Sequence, residues 1–237
     1  MSEDRKRALL VGIDTCGAVG SMALARVEEG RLRALGEQTL TSGEFAGSIL
    51  VALERLLAAA GCTAQQIDGV VVVHGPGSYT GIRVGVATAK GLADGRGIPL
   101  LAVSRLRVME QVSGVGCVAL DAWRGQMFVG LRADDGRWRE RLVTAGEFSV
   151  SEDGLRLPER VAVCEESVAQ LLEMVAEEVR VVRVADPGSA VGAAQALETV
   201  LQRWLAGEAD DAAALDGHYL RGSEMVAGAQ AGQAGPG

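Results

Sequence analysis

The residues best placed to do chemistry lie in two short strings. Ile13-Asp14-Thr15-Cys16-Gly17 closes an apolar run, and Gly75-Pro76-Gly77-Ser78-Tyr79-Thr80-Gly81 follows a valine-rich one. A carboxylate at a strand end, followed by small residues in a tight turn, can hold a hydrated magnesium and let the backbone approach phosphates. The same Asp14 and Thr15 serve equally as turn residues that satisfy their own backbone. The glycine-rich string offers free N–H groups and a helix dipole to an anion, or acts as a sharp turn that needs glycine and proline. It is not a Walker loop, because Gly81 is followed by Ile82 and Arg83 and the phosphate-reaching lysine is missing.

Other chemistries lack their residues. The chain has only two histidines, His74 and His218, far apart in sequence, so no one-turn histidine pair can hold a metal. His74 adjoins the glycine-rich loop, but no carboxylate is placed to orient it as a base. Ser78 lacks the G-x-S-x-G elbow and an activating Asp–His pair, so nothing supports a peptidase or other hydrolase. Cys16, Cys62, Cys117 and Cys164 form no C-x-x-C pair and read as reduced thiols. No metal site is expected.

Periodicity supplies the elements that must position these strings. Ala8–Ile13, Ser21–Val27 and Arg31–Leu40 predict a three-stranded meander turning at Glu28–Gly30. Thr41 and Glu44 have capping-box spacing ahead of a helix running to Gly61, with Phe45, Ile49, Leu53, Leu56 and Leu57 on its apolar face. Gly69–Val73 reads as a strand buried on both sides, Gly81–Ala93 as a helix stopped by Gly95 and Gly97, and Leu100–Val103 as another buried strand. The second half repeats the theme. Strands are expected at Val115–Leu120, Met127–Leu131, Arg137–Val143, Val161–Val163 and Val181–Ala185, with a helix over Val168–Val175 and another opened by Asp186-Pro187 and carrying Val191, Ala194, Leu197, Leu201, Trp204 and Leu205. The pattern is α/β with a possible duplication of a βββαβα unit. Such a duplication organises the ribonuclease H-like, actin-like ATPase (ASKHA) superfamily. The expected domains are 1–104 and 105–221, with a Gly/Ala-rich flexible tail over 222–237.

The Gly81–Ala93 helix is apolar nearly all round, through Ile82, Val84, Val86, Ala87, Ala89, Leu92 and Ala93. Arg83 and Lys90, seven residues apart, share one side. Gly81, Gly85 and Ala89 at four-residue spacing make a groove that another helix could enter. Such a helix is either central to its own fold or shared with a partner protein, since each apolar face must be buried against something.

With a net charge of −8 and a pI near 4.9, the chain is not expected to grip nucleic acid unaided. The arginines at 132, 137, 139 and 141 are interleaved with Asp134, Asp135 and Glu140, as on a solvated hairpin. No apolar run approaches a membrane span, and the start MSEDRKR carries no signal-peptide core, so a cytoplasmic location is expected.

The string GPGSYTGIRVG at 75–85, set between a valine-rich strand and a small-residue helix, resembles the signature of the TsaB (YeaZ) family. LLVGIDT, Leu120-Asp121-Ala122 and His218-Tyr219-Leu220-Arg221 are similar to that family's opening strand, second-lobe strand end and closing string, so the likeness spans about residues 7–221. Two places depart from it. The stretch 42–48 lacks a histidine usual near the start of the first helix, and Trp123 stands where the family's Asp-Ala-Arg has its arginine, with Arg124 one place late.

The resemblance implies a non-catalytic scaffold or dimerisation subunit of the complex that makes N6-threonylcarbamoyladenosine at tRNA position 37. Its partners would be a paralogous TsaD-like threonylcarbamoyltransferase, a TsaE-like ATPase and, through the complex, tRNA. It would self-associate when alone. The partner interface expected is Phe45, Ile49, Leu53, Gly81, Arg83, Gly85, Ala89 and Lys90, from two helices packed as a bundle. A vestigial nucleotide site at Asp14, Thr15, Gly77 and Asp121 would at most bind Mg-ATP or Mg-ADP weakly, and no cofactor is otherwise expected. The alternative is an ATP-dependent small-molecule kinase or transferase of the same fold, with Asp14 and Asp121 around a magnesium–phosphate centre.

Overall fold

The computed structural model describes residues 3–41, 43–144, 147, 159–176, 178–184 and 191–220. Its strands are β1 (Leu9–Asp14), β2 (Val19–Glu28), β3 (Arg31–Thr41), β4 (Ile67–Val73), β5 (Leu100–Val103), β6 (Cys117–Asp121), β7 (Gln126–Arg132), β8 (Trp138–Thr144), β9 (Arg160–Val163) and β10 (Arg180–Arg183). The helices are α1 (Phe45–Ala60), α2 (Tyr79–Arg96), α3 (Arg105–Ser113), α4 (Glu166–Val175) and α5 (Ala193–Leu205).

The duplication is real. One sheet runs β3-β2-β1-β4-β5 and the other, read from its far edge, β8-β7-β6-β9-β10. In both, the first three strands form an antiparallel meander and the last two join in parallel. Parallel joins need crossover helices, and α1, α2 and α4 fill three of those connections. The segment between β8 and β9 lies almost wholly outside the described residues, as do Asp186-Pro187 and the tail at 222–237.

The expected domain boundary is corrected. Among the described residues, the chain divides into one compact unit within 1–114 and 184–219 and a second within 115–183 together with Leu220. Thus α3 and α5 belong with the first sheet, not the second. The reason lies in two strand glycines: a Cβ on Gly12 would stand 2.6 Å from the Ala193 carbonyl oxygen, and one on Gly69 2.4 Å from the Trp204 ring. Only glycine lets α5 lie this close to β1 and β4. Ala193, Ala196, Leu197, Val200, Leu201 and Trp204 form its buried stripe.

On the opposite face, α1 rests on β2 and β3 and α2 on β1 and β4. The Thr41–Glu44 capping box does not form, because β3 continues through Thr41, which pairs with Val19, and α1 begins only at Phe45 without a side-chain cap. Helix α2 starts at Tyr79, two residues before the expected Gly81, because the Ser78 hydroxyl accepts a hydrogen bond from Gly81 N at 3.3 Å. It passes through Gly95 and ends where Gly97 turns left-handed at φ +63°. The second unit's core gathers Ala119, Met127, Val129, Val161, Val163, Val168 and Leu172.

Candidate functional site

In the first unit the two chemistry-bearing strings meet at the C-terminal ends of β1 and β4. The turn after β1 lies against the start of α2: Ser78 N donates to Cys16 O at 2.8 Å and the Thr15 hydroxyl to Gly81 O at 2.7 Å. The fit leaves no room for side chains. A Cβ on Gly77 would stand 2.2 Å from Cys16 O, one on Gly81 1.9 Å from Thr15 O, and one on Gly85 2.3 Å from Thr15 Oγ1. Asp14, Thr15 and Gly77 are therefore brought together, but their polar atoms serve this junction.

Asp14 is buried, and its Oδ1 accepts a hydrogen bond from Cys16 N at 2.8 Å. Burial pushes its carboxyl above the usual aspartate range, while the Arg105 guanidinium and the Cys16 hydrogen bond pull less strongly the other way. Burial also drives the Cys16 thiol well up, and that thiol donates to Val73 O at 3.1 Å. A thiol so held is not a nucleophile. Arg105 completes the cluster and was not foreseen in the sequence: it is buried, its N–H donates to Gly75 O at 2.6 Å, and a Cβ on Gly17 would lie 2.9 Å from its Nη2. The available signal was Ser104, a helix cap directly after a buried strand, with a cation in the first turn.

The closing string joins the same place. His218 N donates to His74 O at 2.7 Å, the two imidazoles stack with centroids 5.3 Å apart, and Tyr219 packs on Tyr79 at 5.1 Å. Lys90 Nζ reaches Leu215 O at 3.1 Å. It ties down this strap and does not project as a free contact.

The proposed interface residues need correction as a set. Phe45, Ile49 and Leu53 of α1 and Gly81, Gly85 and Ala89 of α2 are all buried within the unit. The groove expected of the last three is filled by Thr15 and Ile13 of the chain itself. Arg83 is exposed, its guanidinium 4.1 Å from the Tyr79 ring centre. Among the residues that face outward are Ala46, Gly47, Leu50 and Val51 of α1 and, with Arg83, Ala87 and Gly91 of α2; Leu50 is 53% and Val51 42% exposed. Beside α1, an open groove of about 520 Å³ is lined by Gln38, Leu40, Glu44, Gly47, Val51 and Arg55, among others.

In the second unit Asp121 ends β6 as Asp14 ends β1. Its Oδ1 accepts from Trp123 N at 2.7 Å and its Oδ2 from the Ser167 hydroxyl at 2.9 Å. Among the described residues no three His, Cys, Asp or Glu side chains gather as a metal site, and no helix is long and apolar enough to cross a membrane.

Comparison with known proteins bears directly on this arrangement. Residues 39–150 match the family model described as TsaD: tRNA N6-adenosine threonylcarbamoyltransferase. The chain is 35% identical over 105 residues to the tRNA threonylcarbamoyladenosine biosynthesis protein TsaB of Haemophilus influenzae, covering 44% of this chain and 42% of that protein. It is 33% identical over 148 residues to TsaB of Escherichia coli, covering 62% and 57%. The chain thus spans about half the length of these two curated relatives. A Pseudomonas aeruginosa crystal structure, of an uncharacterized protein with similarity to peptidase YEAZ, superposes with a TM-score of 0.67 at 25% identity, over 90% of this chain and all of that one.

The chain is similar to proteins of the TsaB/YeaZ family. The TsaD-model match fits the relation of this family to its paralogue, and the duplicated α/β sheets fit the actin-like, ribonuclease H-like fold. In this chain the glycine-rich string at 75–85 and the closing string, more than a hundred residues apart, form one packed junction at the start of α2.

Proposed function

We propose that this chain is the non-catalytic scaffold subunit of a complex that forms threonylcarbamoyladenosine in tRNA, and that it docks a TsaD-like threonylcarbamoyltransferase on the outward faces of α1 and α2. The observation that carries the docking face is the pair Leu50 and Val51, half or nearly half exposed on a helix whose inward face is already full. Ala46 and Gly47 of α1 and Ala87 and Gly91 of α2 are also exposed and small, which lets a partner helix approach closely. The reaction comes from the names of the relatives. A partner that is a paralogue with the same two helices can pair with this face in a near-symmetric way, and the isolated chain then self-associates through it.

The same reading makes a TsaE-like ATPase the third protein, brings tRNA to the catalytic subunit and places the assembly in the cytoplasm. The chain itself supplies no catalytic group: the Asp14 carboxylate, the Cys16 thiol and the Thr15 hydroxyl are each committed inside the fold. Reconstitution tests this. With a TsaD-like subunit, a TsaE-like ATPase, unmodified tRNA and a threonylcarbamoyl donor, modification should require this chain, and the chain alone should turn over neither ATP nor donor. Full modification without it, or turnover by the chain alone that is lost in Asp14→Ala, overturns the reading.

A further inference from the structure

Trp123 occupies a costly position. It turns left-handed at φ +62°, Arg124 follows at +56° and Gly125 at +74°, so three successive residues adopt a conformation that L side chains resist. An Asn-Gly pair makes such a hairpin turn without that strain. The turn also leaves the Trp123 indole 52% exposed. The other two tryptophans spend their indole N–H inside the molecule, Trp138 on Glu140 Oε1 at 2.6 Å and Trp204 on Arg5 O at 3.0 Å. Folding therefore gains nothing visible from an aromatic and a cation at 123 and 124.

The backbone beneath them is pinned. Asp121 Oδ1 accepts from Trp123 N at 2.7 Å, Gln126 N donates to Trp123 O at 3.1 Å, and Asp121 is itself held by Ser167. A rigidly presented indole loses little freedom on binding. Arg124 is exposed and has no ion-pair partner among the described residues, while the nearest acidic start of α4 is neutralised where Arg183 grips Glu166 at 3.1 Å. No second large apolar side chain is exposed on this turn. A protein hot spot sits among apolar neighbours, whereas a lone aromatic beside a cation suits a base that stacks and a phosphate that pairs.

We propose that Trp123 and Arg124 contact an unstacked nucleotide of an RNA strand, the base on the indole and its phosphate on the guanidinium. The inference rests on the tRNA-modification reading above and adds a direct RNA contact to this chain.

The test uses full-length chain assembled with its TsaD-like partner, and unmodified tRNA as the probe, followed by fluorescence anisotropy. Trp123→Ala should weaken RNA binding by about 5- to 100-fold, Trp123→Phe by less, and Arg124→Ala should flatten the salt dependence. Trp123→Gly keeps misfolding from mimicking the result: relieving the strain should raise Tm by about 2–4 °C while RNA binding still falls. Unchanged RNA affinity in Trp123→Ala and Trp123→Gly overturns the proposal, as does weakened association with the protein partner at unchanged RNA affinity. If the assembly never modifies tRNA, the functional reading fails separately. An RNA contact at Trp123 is then still decided by the anisotropy.

Discussion

Thr15 and Gly81 meet without space between them: the threonine hydroxyl donates to the Gly81 carbonyl at 2.7 Å, and a Cβ on Gly81 would stand 1.9 Å from the Thr15 carbonyl oxygen. The glycines of the 75–85 string thus serve an internal seam between the β1–β2 turn and α2. The exposed residues Ala87 and Gly91 lie on the other side of the same helix.

That seam gives the first prediction. Gly81→Ala must push the β1–β2 turn off α2 and should destabilise the chain by roughly 1–3 kcal/mol or more. Gly91→Ala, on the outward side of the same helix with nothing within 4 Å of the added Cβ, should stabilise it by about 1 kcal/mol. Urea denaturation of both variants checks the pair. Equal effects would mean that α2 is turned the wrong way.

The second concerns Asp14, whose carboxyl is held above its ordinary range chiefly by burial. A group with a raised folded pKa contributes stability that is present below its unfolded value, about 3.9, and is lost as pH rises through the folded value. The stability of the wild type minus that of Asp14→Asn should therefore fall as pH increases from about 4. If Arg105 dominated, the difference would rise. Denaturation curves at several pH values distinguish the two.

Thiol reactivity is the third. Cys117 is buried with its thiol pushed up to about 12, and Cys16 is buried with its thiol also well raised. Neither should react with iodoacetamide at mildly alkaline pH until the chain unfolds. Mass-spectrometric mapping before and after denaturation reads this directly, and early labelling of Cys117 would contradict the β6 core.

Much of the fold was legible because the meanders alternate and the buried strands are β-branched runs; Leu100–Val103 coincides with its expected span. The destination of α5 was not. Its apolar stripe announces a helix, but only Gly12 and Gly69, on strands distant in sequence, show which sheet accepts it. Orientation of α2 was likewise hidden. With apolar residues all round, periodicity does not separate the inward Gly81–Gly85–Ala89 row from the outward Ala87 and Gly91. The Thr41 cap failed because a strand pairing outbid a local turn. At the site, Asp14 and Thr15 could be placed from their strand end, whereas Arg105 and the His74–His218 stack depend on long-range packing that no local pattern encodes.

The central claim is that the outward face of α1 and α2 docks a TsaD-like subunit. Its most direct measurement is the dissociation constant between that subunit and the full chain, by isothermal titration calorimetry, for wild type and for Leu50→Glu with Val51→Glu. Both side chains are exposed, so the double variant should keep its fold and its Tm while losing at least about tenfold in affinity, a cost of about 1.4 kcal/mol. Wild-type affinity in a folded double variant would contradict the account.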